Sequence, residues 1–180
     1  MDRITPEQRK ERVAMLAPMT LKKLVVGRGH DCGGLIADVY LKNKKIAEYH
    51  DDGWGGEPEI YYMKDGDQAK LETFITEIKL EEHMLASDWS SFKDSGLGVR
   101  TCIEAAVEYI ASEMMELKEI KKLQTKALVL RKDGNLYTKK FKVSIAQIKK
   151  SPRLEQQLKD IMKKEIAEGC EILNTNTPEI

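Results

Sequence analysis

Two glycine-rich stretches carry residue types able to do chemistry. The stretch from His50 to Glu59, HDDGWGGEPE, sets a histidine, four carboxylates, three glycines and Trp54 within ten residues. The stretch GRGHDCGG (27–34) places Arg28, His30, Asp31 and Cys32 among glycines. If both loops met at one sheet edge, His30 and His50 would converge with Asp31, Asp51 and Asp52 into a hydrolytic metal site. Cys32 would act as a nucleophile only if the fold set a histidine base beside it. Spacing argues against the ready-made motifs. A calcium loop needs ligands at alternating positions and a glutamate at its twelfth, whereas Asp51 and Asp52 are adjacent and Glu57 comes too soon. A Walker phosphate loop needs a lysine and a helix after its glycines; here Glu57-Pro58 and a strand follow. Neither H-x-E nor H-E-x-x-H occurs. What remains is a wide turn whose glycines, Gly53 and Gly55 among them, permit positive φ, with Trp54 as the residue a turn does not need. An aromatic there can stack on a base or fill a partner's pocket.

The third candidate is a basic run. KALVLRKDGNLYTKKFKV (126–143) offers Lys126, Arg131, Lys132, Lys139, Lys140 and Lys142, interleaved with Tyr137 and Phe141. Lysines beside aromatics on a β-ribbon can track phosphates and stack bases. Lys149, Lys150 and Arg153 continue the charge. The plain alternative is a half-buried strand, with lysines alternating against Phe141 and Val143. His83 reads as a solvent-facing or capping histidine, and the methionines as core filler.

These residues must be positioned by surrounding elements. Thr5, Pro6 and Glu7 predict a helix over 5–16, stopped by Pro18. Strands are expected at 21–26, 35–41, 45–50 and 59–63, with Asn43 turning the second into the third. Asp67 is the expected N-cap of a helix whose Leu71, Phe74, Ile75 and Ile78 form one stripe. A long helix over 99–123 is expected to bury Cys102, Ala106, Tyr109, Ile110, Met114 and Leu117. Asp133-Gly134 is the dipeptide a type I′ hairpin prefers. Ser151, Pro152 and Gly169 punctuate a helix that buries Leu154, Leu158, Ile161 and Ile166. A last strand at 170–174 and a tail, TNTPEI, complete the chain.

Strands in hairpins rather than strand–helix–strand units predict an α+β fold, a mainly antiparallel sheet with helices on one face. Two sheet halves separated by a helical excursion are the alternative. One domain of 180 residues is expected, with an N-terminal helix (1–18), a β-meander (21–63), a helical part (66–123), and a basic hairpin, helix and last strand (126–174). Lysine plus arginine and aspartate plus glutamate both number 30, so bulk charge selects no partner. The distribution does: residues 31–90 carry 6 basic and 14 acidic side chains, residues 118–164 carry 15 and 4. Such asymmetry suits an anion-binding face or self-association of unlike faces. Three scattered cysteines fit a reducing, cytoplasmic setting. No secretory leader, membrane span or cofactor is expected.

The meander LIADVYLKNKKIAEYHDDGWGGEPEIYY resembles a loose group of small proteins encoded by bacteriophages and integrated bacterial elements. Those share a strand, a turn with paired lysines, a second strand and a D-G-x-G-G loop. Lys44, Lys45, Asp52, Gly53, Gly55 and Gly56 carry the resemblance, while Asn43-Lys44 stands where a glycine is common. It covers residues 33–63 and implies a cytosolic accessory protein that binds or disables a host factor. The combined expectation is a non-enzymatic binding protein engaging a host protein, a nucleic acid or a nucleotide. Its contacts would be Arg28, Gly53, Trp54, Gly55, Arg131, Lys132, Tyr137, Lys139 and Lys140. A small metal-dependent hydrolase built on His30, His50, Asp51 and Asp52 comes second. A homo-oligomeric structural protein, acidic meander against basic hairpin, comes third.

Overall fold

The structure, a computed structural model, describes residues 5–27, 34–87 and 98–179. The chain is α+β with antiparallel pairing throughout. Its strands divide into a four-stranded sheet, β1-β2-β3-β4, and a three-stranded sheet, β6-β5-β7, with helices between the two in sequence. The chain forms two compact units, residues 1–113 and 114–180.

The N-terminal unit opens with α1 (Pro6–Leu16). Its Thr5 cap is reciprocal: the Gln8 N–H donates to Thr5 Oγ1 at 3.2 Å, and the Thr5 N–H to Gln8 Oε1 at 2.8 Å. Two orphan donors are thereby satisfied. Strands β1 (Met19–Val26), β2 (Leu35–Leu41), β3 (Lys44–Asp51) and β4 (Glu59–Tyr62) follow as a meander. Lys42 and Asn43 both take positive φ, 48° and 66°, the type I′ turn that matches strand twist. β1 is bulged between Lys22 and Val25, with Lys23 at φ 51°. Alternation sends Leu21, Leu35, Ala37, Val39 and Tyr49 into the core and leaves Ile36 exposed.

Helix α2 (Asp67–Glu77) buries Leu71, Phe74 and Ile75 as its spacing predicts, each worth about 1.5–3 kcal/mol. Its N-cap is Gly66, at φ 79°, and not Asp67. Asp67 is buried at the first helical position and its carboxylate is spent on Lys44 and Lys70. α3 (Leu80–Ser87), which carries His83, was not expected as a separate helix. α4 (Val99–Leu123) has the expected bounds. It buries Cys102, Ile103, Ala106, Val107, Ala111 and Ile120, whereas Leu117, expected inside, is 54% exposed.

The C-terminal unit takes the end of α4, then β5 (Ala127–Lys132) and β6 (Asn135–Lys140), α5 (Ile145–Ile148), α6 (Pro152–Ala167) and β7 (Glu171–Ile172). Asp133 and Gly134 both take positive φ, 51° and 75°, so the hairpin turn is the one their dipeptide prefers. Leu128 and Leu130 form a core with Ile145, Ile148, Leu158 and Met162, against which Ile161 packs. Leu154 and Ile166, expected on this side, are exposed.

The segment expected to be a tail is docked. Asn174 lends its amide to the sheet edge: Oδ1 accepts from the Val129 N–H at 2.6 Å, and Nδ2 donates to Ala127 O at 3.0 Å. The side chain thus stands in for a peptide unit where β7 has ended. Asn176 and Thr175 bond Gln124, just after α4, and Pro178 is buried. Among the described residues, no helix is long and apolar enough to cross a membrane.

Candidate functional site

The glycine loop is a pair of side-chain-closed turns at the end of β3. Asp51 Oδ1 accepts from the Gly53 N–H at 2.8 Å, and Asp52 Oδ1 from the Trp54 N–H at 2.9 Å. Gly53 and Gly55 take φ 73° and 84°, as the turn requires. Trp54 is 64% exposed at the tip. The exit is pinned by Arg100 of α4, which donates to Pro58 O at 2.6 Å and pairs with Glu104 at 3.0 Å. Nothing local in the sequence marks Arg100 for this role, because it lies 42 residues from Pro58.

His50 and Asp51 do not converge. His50 pairs with Ile36 and Glu59 across the sheet and meets the Tyr61 ring edge-on at 5.1 Å. Asp51 is adjacent on β3 and faces the other way. Burial first, then Glu108 and Asp51, push the pKa of the buried Tyr49 hydroxyl up; Tyr49 and Asp51, two residues apart on β3, share the core-facing side of the strand. The Asp51 and Asp52 carboxylates are engaged by the turn itself. No cluster of three or more potential metal ligands occurs among the described residues. Arg28, His30, Asp31 and Cys32 lie outside the described residues. Their flanks are tied by the Gly27 N–H donating to Gly34 O at 2.7 Å.

Alternation divides the basic hairpin. Register sets Lys139 opposite Leu128 and Tyr137 opposite Leu130, on the face that meets α6; Arg131 and Lys140 fall on the other face. Arg131 is 15% exposed and paired with Glu116 of α4 and, at 3.2 Å, with Glu171. Lys139 is paired with the buried Glu165 of α6. That hydrogen bond holds the Glu165 carboxyl below the usual carboxylate range and raises Lys139. Lys132 is half-buried, while Tyr137 and Lys140 are exposed. The structure therefore does not assemble Arg131, Tyr137, Lys139 and Lys140 on one ribbon face.

It does assemble a different set. The end of α4, the start of β5, the end of β6 and the start of α5 meet at one end of the small sheet. Lys140 pairs with Ala127 in register, the Phe141 N–H donates to Lys126 O at 2.8 Å, and the Ile145 N–H to Thr125 O at 3.0 Å. Lys121, Lys122, Lys126, Lys140 and Lys142 are exposed there; Lys149 and Lys150 come directly after α5, and Arg153 lies in the first turn of α6. None of these eight cations forms an ion pair among the described residues. The segment's few acids are mostly elsewhere or engaged. Asp133 sits in the far turn, Glu155 pairs with Lys159 at 3.3 Å, and Asp160 accepts from Gln156 at 2.9 Å. Lys121 and Lys122 escaped the sequence reading because only the topology brings the last turn of α4 to the hairpin's open end. Comparison with protein families, with curated proteins and with solved structures finds no match for the chain.

Proposed function

We propose that the chain is a non-enzymatic binding protein, of the kind that phages and mobile elements carry, and that its C-terminal unit engages single-stranded nucleic acid. The observation that carries this reading is the lysine-rich end of the small sheet. Two cations of the same segment, Arg131 and Lys139, are paired with carboxylates, whereas Lys121, Lys122, Lys126, Lys140 and Lys142 at this end are not. Leaving like charges together costs self-repulsion, which a polyanion relieves. Lysines are point charges on flexible stems and suit a phosphate backbone read by charge rather than by a fixed fork. Trp54, in the other unit, offers an exposed ring able to stack on a base.

The test is fluorescence anisotropy with a labelled single-stranded oligonucleotide across a salt series. About six phosphate contacts give a log–log slope near −4, a loss of about 300-fold between 50 and 200 mM salt. An affinity indifferent to salt contradicts the reading. Mass spectrometry of what copurifies with the chain gives a second check: nucleic acid supports it, and a stoichiometric protein partner in its place overturns it.

A further inference from the structure

The N-terminal unit holds a groove that nucleic-acid binding does not use. It lies between the β2–β3 turn and α2, with a volume of about 580 Å³, within the range of roughly 300–1,000 Å³ typical of small-ligand sites. Its floor is apolar: Leu41, Ile46 and Phe74, the last two buried. Its rim carries Lys42, Lys44 and Lys70, against which, among the described residues, the lining sets one carboxylate, Glu77.

Two of these ammonium groups are fixed from beneath. Asp67 has no exposed side-chain surface, and its Oδ1 takes Lys70 Nζ at 2.6 Å and Lys44 Nζ at 3.2 Å. Burying a carboxylate is costly unless it is paired. Here one carboxylate is shared by two cations, so one positive charge stays uncompensated while both heads are held in place. Exposed lysines ordinarily lose entropy when a ligand arrests them; these have lost much of it already. Lys42 forms no ion pair among the described residues and is set at the rim by its left-handed turn position, φ 48°. A hydrophilic polyanion would leave Leu41, Ala69 and the open edge of Phe74 uncovered. A neutral apolar molecule would leave the lysines unneutralised.

We propose that this groove binds an amphipathic anion: an apolar chain lying on Leu41, Ile46 and Phe74, with a carboxylate or phosphate head among Lys42, Lys44 and Lys70. The site is independent of the nucleic-acid reading. The experiment is calorimetric titration of the full chain with decanoate, decyl phosphate and decanol. At least one of the two anions binds one per chain, and decanol is weaker than it by about tenfold or more. The tighter of the two anions identifies the head group. Lys42→Asn keeps a residue that tolerates a left-handed backbone and weakens the anions several-fold without moving decanol. Ala69→Phe, at an exposed helical position on the groove wall, fills it and abolishes binding of all three, while thermal melting of both variants stays at wild type. A double reversal at Lys140 and Lys142 leaves decanoate binding unchanged. Failure of both anions to bind, decanol binding as tightly as they do, or anion binding unmoved by both Lys42→Asn and Ala69→Phe overturns the proposal.

Discussion

Asn174→Ala tests how the basic end is held together. In the wild type one amide accepts from the Val129 N–H at 2.6 Å and donates to Ala127 O at 3.0 Å, both residues being buried in β5. The same Nδ2 lies 3.4 Å from Gln124 O, just after α4. Truncation leaves the Val129 N–H buried without an acceptor, which costs about 1–3 kcal/mol. The lost donation to Ala127 O adds about 0.5–1.5 kcal/mol. Together these give about 2–4 kcal/mol, confined to the unit that carries α4's end, β5 and the lysines of the site. Both tryptophans, Trp54 and Trp89, precede residue 114 in the sequence, so their fluorescence is the wrong probe. Hydrogen exchange read by mass spectrometry on peptides covering 127–130 reports the right segment. These amides should exchange about 30- to 1,000-fold faster in the variant. Asn174→Asp keeps an acceptor for Val129 but sets a carboxylate oxygen against the Ala127 carbonyl, so it should be no milder. Exchange within about threefold of wild type in Asn174→Ala would refute the view that this side chain completes the sheet.

The remaining predictions concern charge, packing and reactivity. Asp38 is held below its ordinary value of 3.8, first by its hydrogen bond to Lys45 and then by Lys23; Asp67 is held down by Lys70 and then Lys44. A lowered folded value means stabilisation that is complete above pH 3.8 and lost as pH falls through the lower value. Melting temperature should therefore fall steeply below that pH, and Asp38→Asn and Asp67→Asn should flatten the acid limb while lowering the plateau; an unchanged limb in both contradicts the pairing. Lys139→Ala strips the buried Glu165 of its counter-ion and should lower the melting temperature, whereas Lys140→Ala should not; equal effects refute the distinction between them. In Gly34→Ala a new Cβ would lie 2.8 Å from Asp51 O, so the glycine loop must shift at a cost of about 1–3 kcal/mol in thermal unfolding. Burial pushes the Cys102 thiol up to about 11, so iodoacetamide at pH 8 should label it only after unfolding.

Much of the architecture was written in local chemistry. The Thr5 cap, the Asn43 turn and the Asp133-Gly134 turn are set by neighbours one to three residues away, and the sequence shows all three. The α2 stripe was legible for the same reason. What failed depended on distance along the chain. Asp67 looked like a cap until its partners, one of them 23 residues upstream, were known. In α4, periodicity gives the period but not the phase. Ala106 and Ala111 share the buried face, and Leu117 falls off it. Asn174 was expected to end the last strand, and Thr175 and Asn176 to begin a polar tail, because their partners, Gln124, Ala127 and Val129, are some 45 to 52 residues away. The site followed the same rule. The charge asymmetry was visible, but strand alternation sets Arg131 and Lys139 on opposite faces, and the Glu116 and Glu165 pairs engage them within the unit. Only the topology adds Lys121 and Lys122.

The most direct test of the nucleic-acid reading compares two double reversals in the same anisotropy assay. One is Lys140→Glu with Lys142→Glu, at the basic end; the other is Lys163→Glu with Lys164→Glu, on the last turns of α6. Both change net charge equally, so bulk electrostatics affects them alike. The first pair should lower affinity by at least about tenfold and reduce the salt slope by about 1.4, two lost contacts at about 0.7 each. The second pair should have a much smaller effect and leave the slope near that of the wild type. Equal losses in the two variants, or no loss in the first, would contradict nucleic-acid binding at this end.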